Sequence, residues 1–167
     1  MSKLQGIHID NFEENPDEYV NHLANCVKLM QSVDTSDCAF DSSLNVRLAE
    51  LKWLIDNNLA SLDDWEDTTT FTDHHELYKW LCGNKPSEDL VFSHGDLTAN
   101  FFIGSYDYLF YDLGRAGVAD RWMDIAFCVR SIREFRDEKY EERFFELLNV
   151  EPDYGKIDYF ILLDEMF

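Results

Sequence analysis

Ser93-His94-Gly95-Asp96-Leu97-Thr98-Ala99-Asn100 follows the short apolar run Leu90-Val91-Phe92. It precedes two more such runs, Phe101-Phe102-Ile103 and Tyr108-Leu109-Phe110-Tyr111, with Gly104-Ser105 between them. This pattern predicts a buried strand, a sharp turn and a small β-hairpin. Gly95 lets the backbone bend, and a turn delivered by a rigid strand is a common seat of chemistry. Asp96 could accept a proton from a hydroxyl nucleophile, and Asn100 could offer an amide oxygen to a cation. Asp112 follows the second hairpin strand. Because a hairpin folds back, Asn100 and Asp112 can lie side by side as hard oxygen ligands, suited to Mg²⁺ shared with phosphates. A carboxylate at the nucleophile and a metal clamp are the parts that phosphoryl transfer needs.

Outward from this stretch the texture is helical. Asn15-Pro16-Asp17-Glu18 is a helix start with a capping side chain, and Tyr19, Leu23, Val27 and Met30 follow at helical spacing. Asp41-Ser42-Ser43 opens a second helix with Leu44, Leu48, Leu51 and Ile55 on one face, ending near Asn57-Asn58. An acid-rich loop, Asp63 to Thr68, comes next. Asp73 and Glu76 have capping-box spacing ahead of Leu77, Trp80 and Leu81, with Gly83 as the C-terminal cap. After Asp120, helical spacing resumes with Trp122, Ile125, Val129 and Ile132. Two further helices fit Asp137–Leu148 and Asp153–Met166. The expected class is α+β, predominantly α, as one domain over 1–167, with Trp65, Phe144 and Phe145 in the core.

Composition excludes several functions. Hydrophobic residues make up 46% of the 167, which is globular rather than disordered. No apolar run is long enough to span a membrane, and the N-terminus lacks a signal-peptide core, so the expected location is the cytoplasm. Cys26, Cys38, Cys82 and Cys128 have no zinc spacing and are expected to be reduced and mostly buried. There are 34 acids against 14 bases, a formal net charge of −20. Such a chain will not hold a nucleic-acid backbone, but it can steer a polycation.

SHGDLTAN (93–100), FYDLGRAGVADRWMDIAFCVRSIREF (110–135), ILLDEMF (161–167) and DTSDCAFDSSLNVRLAEL (34–51) together resemble the aminoglycoside 3′-phosphotransferases, antibiotic-resistance kinases with a protein-kinase-like fold. The resemblance covers essentially the whole chain and implies the C-terminal, helical lobe of that fold, with the small β-hairpin at its catalytic site. It implies Asp96 as catalytic base and Asn100 and Asp112 as Mg²⁺ ligands. His94, Asp120 and Asp124 fall in a structural acidic motif; capping and a bridge to Arg121 or Arg115 are the reading from spacing alone. It implies drug contacts at Asp63, Glu66, Glu134, Glu165 and the terminal Phe167, with Arg115 and Arg130 near the reaction centre. The implied reaction moves the γ-phosphate of ATP to the 3′-hydroxyl of an aminoglycoside.

The chain departs from that family's pattern in several places. The step from Asp96 to Asn100 and the hairpin from Asn100 to Asp112 are each one residue shorter. Thr98 and Ala99 stand where an acid is usual, and Phe135 replaces an acid after Glu134. No Gly-rich phosphate loop or strand lysine of a nucleotide-binding lobe is found; Met1-Ser2-Lys3 falls at the family's hinge. Two other readings follow: a non-catalytic lobe that binds aminoglycoside or pairs with a separate N-lobe, and another small-molecule kinase acting on choline or a sugar. An exposed apolar face where lobes would meet, suited to self-association, is expected as well.

Overall fold

The structure, a computed structural model, describes residues 6–60, 65, 71–105 and 107–167. Strand β1 (Ile7–His8) and a 3₁₀ turn (Ile9–Phe12) lead into helix α1 (Pro16–Gln31). Pro16 presets the first helical φ, and Asp17 and Glu18 face the positive dipole end. The expected Asn15 cap does not form: its side chain makes no capping bond. Helix α2 (Leu44–Asp56) also lacks a cap from the preceding serine. Its first amides are met from elsewhere: the Asp41 carboxylate accepts the Ser43 N–H at 2.9 Å, and Glu88 accepts the Leu44 N–H at 2.7 Å. Helix α3 (His74–Gly83) starts on Asp73, whose carboxylate accepts the His75 N–H. Gly83 is its last residue, and Asn84 takes the cap position.

Strands β2 (Leu90–Ser93), β3 (Phe101–Ile103), β4 (Tyr108–Phe110) and β5 (Gly117–Asp120) follow, then α4 (Trp122–Arg133), α5 (Glu138–Leu148) and α6 (Tyr154–Asp164). The hairpin forms as expected, pairing Phe101 with Phe110 and Ile103 with Tyr108, and β1 adds to its other edge. Strand β2 pairs with β5, Leu90 opposite Asp120 and Ser93 opposite Gly117. The expectation of a buried β2 is corrected. Leu90 is exposed and only Ser93 is buried, because a two-stranded ribbon leaves its outer end in solvent.

The core lies around α4, whose residues Trp122 to Val129 are all buried. A helix apolar on nearly every side must be enclosed; α1, α5 and α6 supply the enclosure, with Leu23, Val27, Phe144 and Phe160 among the buried contacts. Phe144 and Phe145 are core, as expected, and the half-buried Trp65 packs at its margin. Asp137 and Asp153 cap α5 and α6, and Asn149 closes α5 in the left-handed conformation at φ 56°. All four cysteines are free; Cys26 and Cys128 are buried, but Cys82 is exposed. Among the described residues no helix is long and apolar enough to cross a membrane.

Candidate active site

The Ser93–Asn100 turn is held from beneath by the start of α4. Asp124 is 2% exposed, and its two carboxylate oxygens accept the His94 N–H at 2.8 Å and the Gly95 N–H at 3.0 Å. Burial pushes the Asp124 carboxyl up, and these amide bonds pull it back down. The His94 ring is fully buried, with Nε2 3.0 Å from the Tyr111 carbonyl. A carbonyl only accepts, so Nε2 carries a proton, while Nδ1 is buried without a hydrogen-bond partner. His94 thereby ties the turn to the hairpin end that carries Asp112.

Asp120 is also fully buried and accepts the Asp89 and Trp122 amides and Lys156 Nζ, the last at 2.7 Å. The capping role holds, but the expected arginine bridge is corrected. Lys156 of α6 reaches the buried carboxylate, Arg121 pairs with Asp89 at 3.2 Å, and Arg115 turns to Asp164.

Gly95 has φ +82°, and a Cβ on it would collide with the Arg115 carbonyl oxygen. Gly95→Ala is expected to cost at least about 1–3 kcal/mol from the left-handed backbone alone. Calorimetry should show a melting temperature several degrees lower; an unchanged value would mean the turn is not held as described.

Asp96 leaves this turn half-buried in a cleft of about 700 Å³, lined also by Glu50, Asp112, Arg115, Arg130, Asp164, Glu165 and Phe167. Burial pushes its carboxyl above the ordinary carboxylate range, and nearby Asp164 adds to this; Arg115 and His94 oppose it. The shortened loop still brings Asn100 back, its amide NH₂ donating to the Asp96 carbonyl at 2.9 Å and carboxylate at 3.3 Å. That commitment leaves Asn100 Oδ1 as the atom a cation would use. Tyr111 N–H bonds to the Asn100 carbonyl at 3.1 Å, so Asn100 and Asp112 flank the last rung of the hairpin. Asp112 is exposed at φ 58°, an uncommon conformation for a non-glycine residue.

Arg115 and Arg130 converge on Asp164, at 3.5 Å and 2.8 Å. Asp164 is a residue the sequence reading missed; the ILLDEMF segment offered two adjacent acids, and only Glu165 was singled out. Glu165 and Phe167 line the cleft as expected. Glu134 does not reach it. It caps α4 and faces a separate hollow with Asp10, Glu13 and Phe135. Phe135 packs its ring against Tyr19 and Tyr140, an aromatic contact that an acid would not make. Asp63 and Glu66 lie outside the described residues. Among the described residues, the one cluster of His, Cys, Asp and Glu side chains close enough to share an ion is Asp73-His74-His75 on α3, not in the cleft.

A helical lobe that packs a glycine turn and a hairpin on a buried central helix, with a carboxylate at the head of a cleft, is the C-terminal lobe architecture of protein-kinase-like phosphotransferases. Residues 1–160 match the model of the Phosphotransferase enzyme family. The aminoglycoside 3′-phosphotransferase of Campylobacter jejuni is 54% identical over 170 residues, covering 100% of this chain and 68% of the relative. That of Enterococcus faecalis is 51% identical, covering 93% of the chain and 61% of the relative. The chain belongs to the aminoglycoside 3′-phosphotransferase family, and it spans between 61% and 68% of the length of these relatives.

Solved structures agree on the fold. An aminoglycoside 3′-phosphotransferase of type VIII superposes with a TM-score of 0.82 at 21% identity, over 99% of this chain and 67% of that one. The Streptomyces rimosus aminoglycoside phosphotransferase APH(3″)-Id, solved also in complex with ADP and streptomycin, gives 0.83 to 0.85 over 99% of this chain. Choline kinase LicA from Streptococcus pneumoniae is more distant, with a TM-score of 0.62 over 97% of this chain and 56% of that one.

Proposed function

We propose that this chain carries the acceptor side of an ATP-dependent aminoglycoside 3′-phosphotransferase. The observation that carries the reading is Asp96, a half-buried carboxylate on a clamped turn at the head of a cleft walled by further acids. In this reading the Asp96 carboxylate takes the proton of the drug hydroxyl as its oxygen bonds the γ-phosphorus. The bond from that phosphorus to the bridging oxygen breaks, and ADP departs. Asn100 Oδ1 and the Asp112 carboxylate would hold Mg²⁺, a donor pair that suits a hard cation, which when bound offsets phosphate charge. Glu50, Glu165 and Phe167 face the cleft, where the two acids can meet drug ammonium groups; the net charge of −20 draws a polycation in. Asp63, Glu66 and Glu134 belong to the same proposed set, with Glu134 facing its separate hollow. Arg115 and Arg130, turned partly toward Asp164, remain within reach of a transferring phosphoryl group.

The test is transfer of phosphate from ATP to kanamycin in the presence of Mg²⁺, with calorimetric titration of kanamycin alongside. Binding without transfer would favour a drug-binding lobe that needs a separate nucleotide lobe. Exposed Ile7, Leu29 and Val33 are apolar surface such a lobe, or a second copy, could cover. Choline binding in place of kanamycin would overturn the substrate class.

A pH dependence follows from Asp96. The base works only when ionised, and burial and Asp164 raise the pH at which it ionises. The acid limb of kcat/KM is therefore expected above the ordinary carboxylate range and should move down in Asp164→Asn. A limb that ignores this substitution would exclude Asp96 as the titrating group.

A further inference from the structure

Arg47 lies on the apolar face of α2 and is 4% exposed. Its nearest carboxylate, Glu50, is half exposed and stands 3.6 Å away. Its Nε is buried without a hydrogen-bond partner. A buried guanidinium so sparsely paired adds little to stability, since an apolar side chain of similar volume fills such a space without the desolvation cost. What it touches is the turn that carries Asp96. Nη2 donates to the Gly95 carbonyl at 3.4 Å. Its guanidinium also stacks on the Phe167 ring, 4.7 Å from the centroid, and Arg115 stacks on that same ring at 4.3 Å.

Gly95 is the flexible joint of the turn, at φ +82°. Its N–H is held by Asp124 and Ser93. Its carbonyl belongs to the peptide plane that continues into Asp96, so whatever holds that carbonyl sets the direction in which Asp96 leaves the turn. We propose that Arg47 is a positioning residue: it fixes the Gly95–Asp96 peptide and, through Phe167 and Arg115, locks the end of α6 against the turn. This rests on the phosphotransferase reading above for its catalytic consequence, but not for its structural one.

The experiment compares wild type, Arg47→Met and Arg47→Lys by amide hydrogen exchange, melting temperature and kanamycin phosphorylation. Arg47→Met should keep or raise the melting temperature, while the His94 and Gly95 amides exchange about tenfold or more faster. Where turnover is present, kcat should fall about 10–100-fold with KM little changed, the pattern expected of misplaced chemistry. Arg47→Lys, which keeps a donor, should recover part of both losses. Wild-type protection of His94 and Gly95 in Arg47→Met would overturn the proposal. So would fast exchange spread over α2 and α4 with a lowered melting temperature, which marks a merely structural role. If wild type transfers no phosphate, the phosphotransferase reading fails on its own, and the exchange result still decides whether Arg47 holds the turn.

Discussion

Asp96→Asn is expected to lower phosphate transfer by about 10²–10⁴-fold, the usual contribution of a positioned general base, with the fold left intact. The substitution keeps the shape of the side chain and its contact with Asn100 but removes the group proposed to accept the hydroxyl proton. The fold should tolerate it, because burial and Asp164 both disfavour the charged form. Taking that charge away relieves a cost and breaks no ion pair. Melting temperature at neutral pH should therefore stay level or rise slightly while turnover collapses. The loss should fall on kcat, since in the proposed reading other acids of the cleft meet the drug ammonium groups and the Asp96 contribution matters most in the transition state. Steady-state kinetics with product detection by mass spectrometry, paired with calorimetry, checks both halves. Full activity in Asp96→Asn would move the base elsewhere and with it the whole assignment of the cleft.

The helices were legible because their signals are local. Pro16, Asp73, Asp137 and Asp153 mark starts within a residue of those observed. Strands β1 and β5 left no trace. Two residues and four residues are too short for an alternating pattern, and Gly117–Asp120 is a strand only because β2 and the bridge from Asp41 to Val118 lie beside it. In the site, Asp96, Asn100 and Asp112 stood out through their spacing around a hairpin. Arg47 did not, although its signal was present: it falls three residues after Leu44 and four before Leu51, on the stripe that must face the core. A charge at such a position asks for a buried partner, and the partner is a backbone carbonyl 48 residues away. Glu134 shows the opposite case. Its neighbourhood matched a family pattern, but its place at the end of α4 turns it to a different hollow.

Asp124→Ala is expected to be the most damaging single change to the fold among these residues. In wild type its carboxylate receives two buried amides from a turn about 30 residues upstream, so one side chain fixes the Ser93–Asn100 turn to the central helix. Removing it leaves the His94 N–H without an acceptor and the Gly95 N–H with only the Ser93 hydroxyl. The buried His94 amide left unpaired costs about 1–3 kcal/mol, and the loss of one of the two Gly95 acceptors adds about 0.5–1.5 kcal/mol, so the loss should be about 1.5–4.5 kcal/mol. For a chain of this size about 1 kcal/mol corresponds to roughly 2–4 °C, which places the fall in melting temperature at about 3–18 °C. An opposing effect narrows the range toward its lower half. Burial raises the Asp124 carboxyl, so the fold holds this proton more tightly than the unfolded chain does. Such a group costs stability as pH rises from the ordinary carboxylate range through its raised value. The alanine variant escapes that cost, and its deficit against wild type should be smaller above this window than below it. Asp124→Asn, which keeps one acceptor oxygen, should fall between the two. Melting curves of the three proteins across pH 4–8 test the sequence directly. An alanine variant that melts within about 2 °C of wild type at every pH would show that the turn is held by something other than this carboxylate.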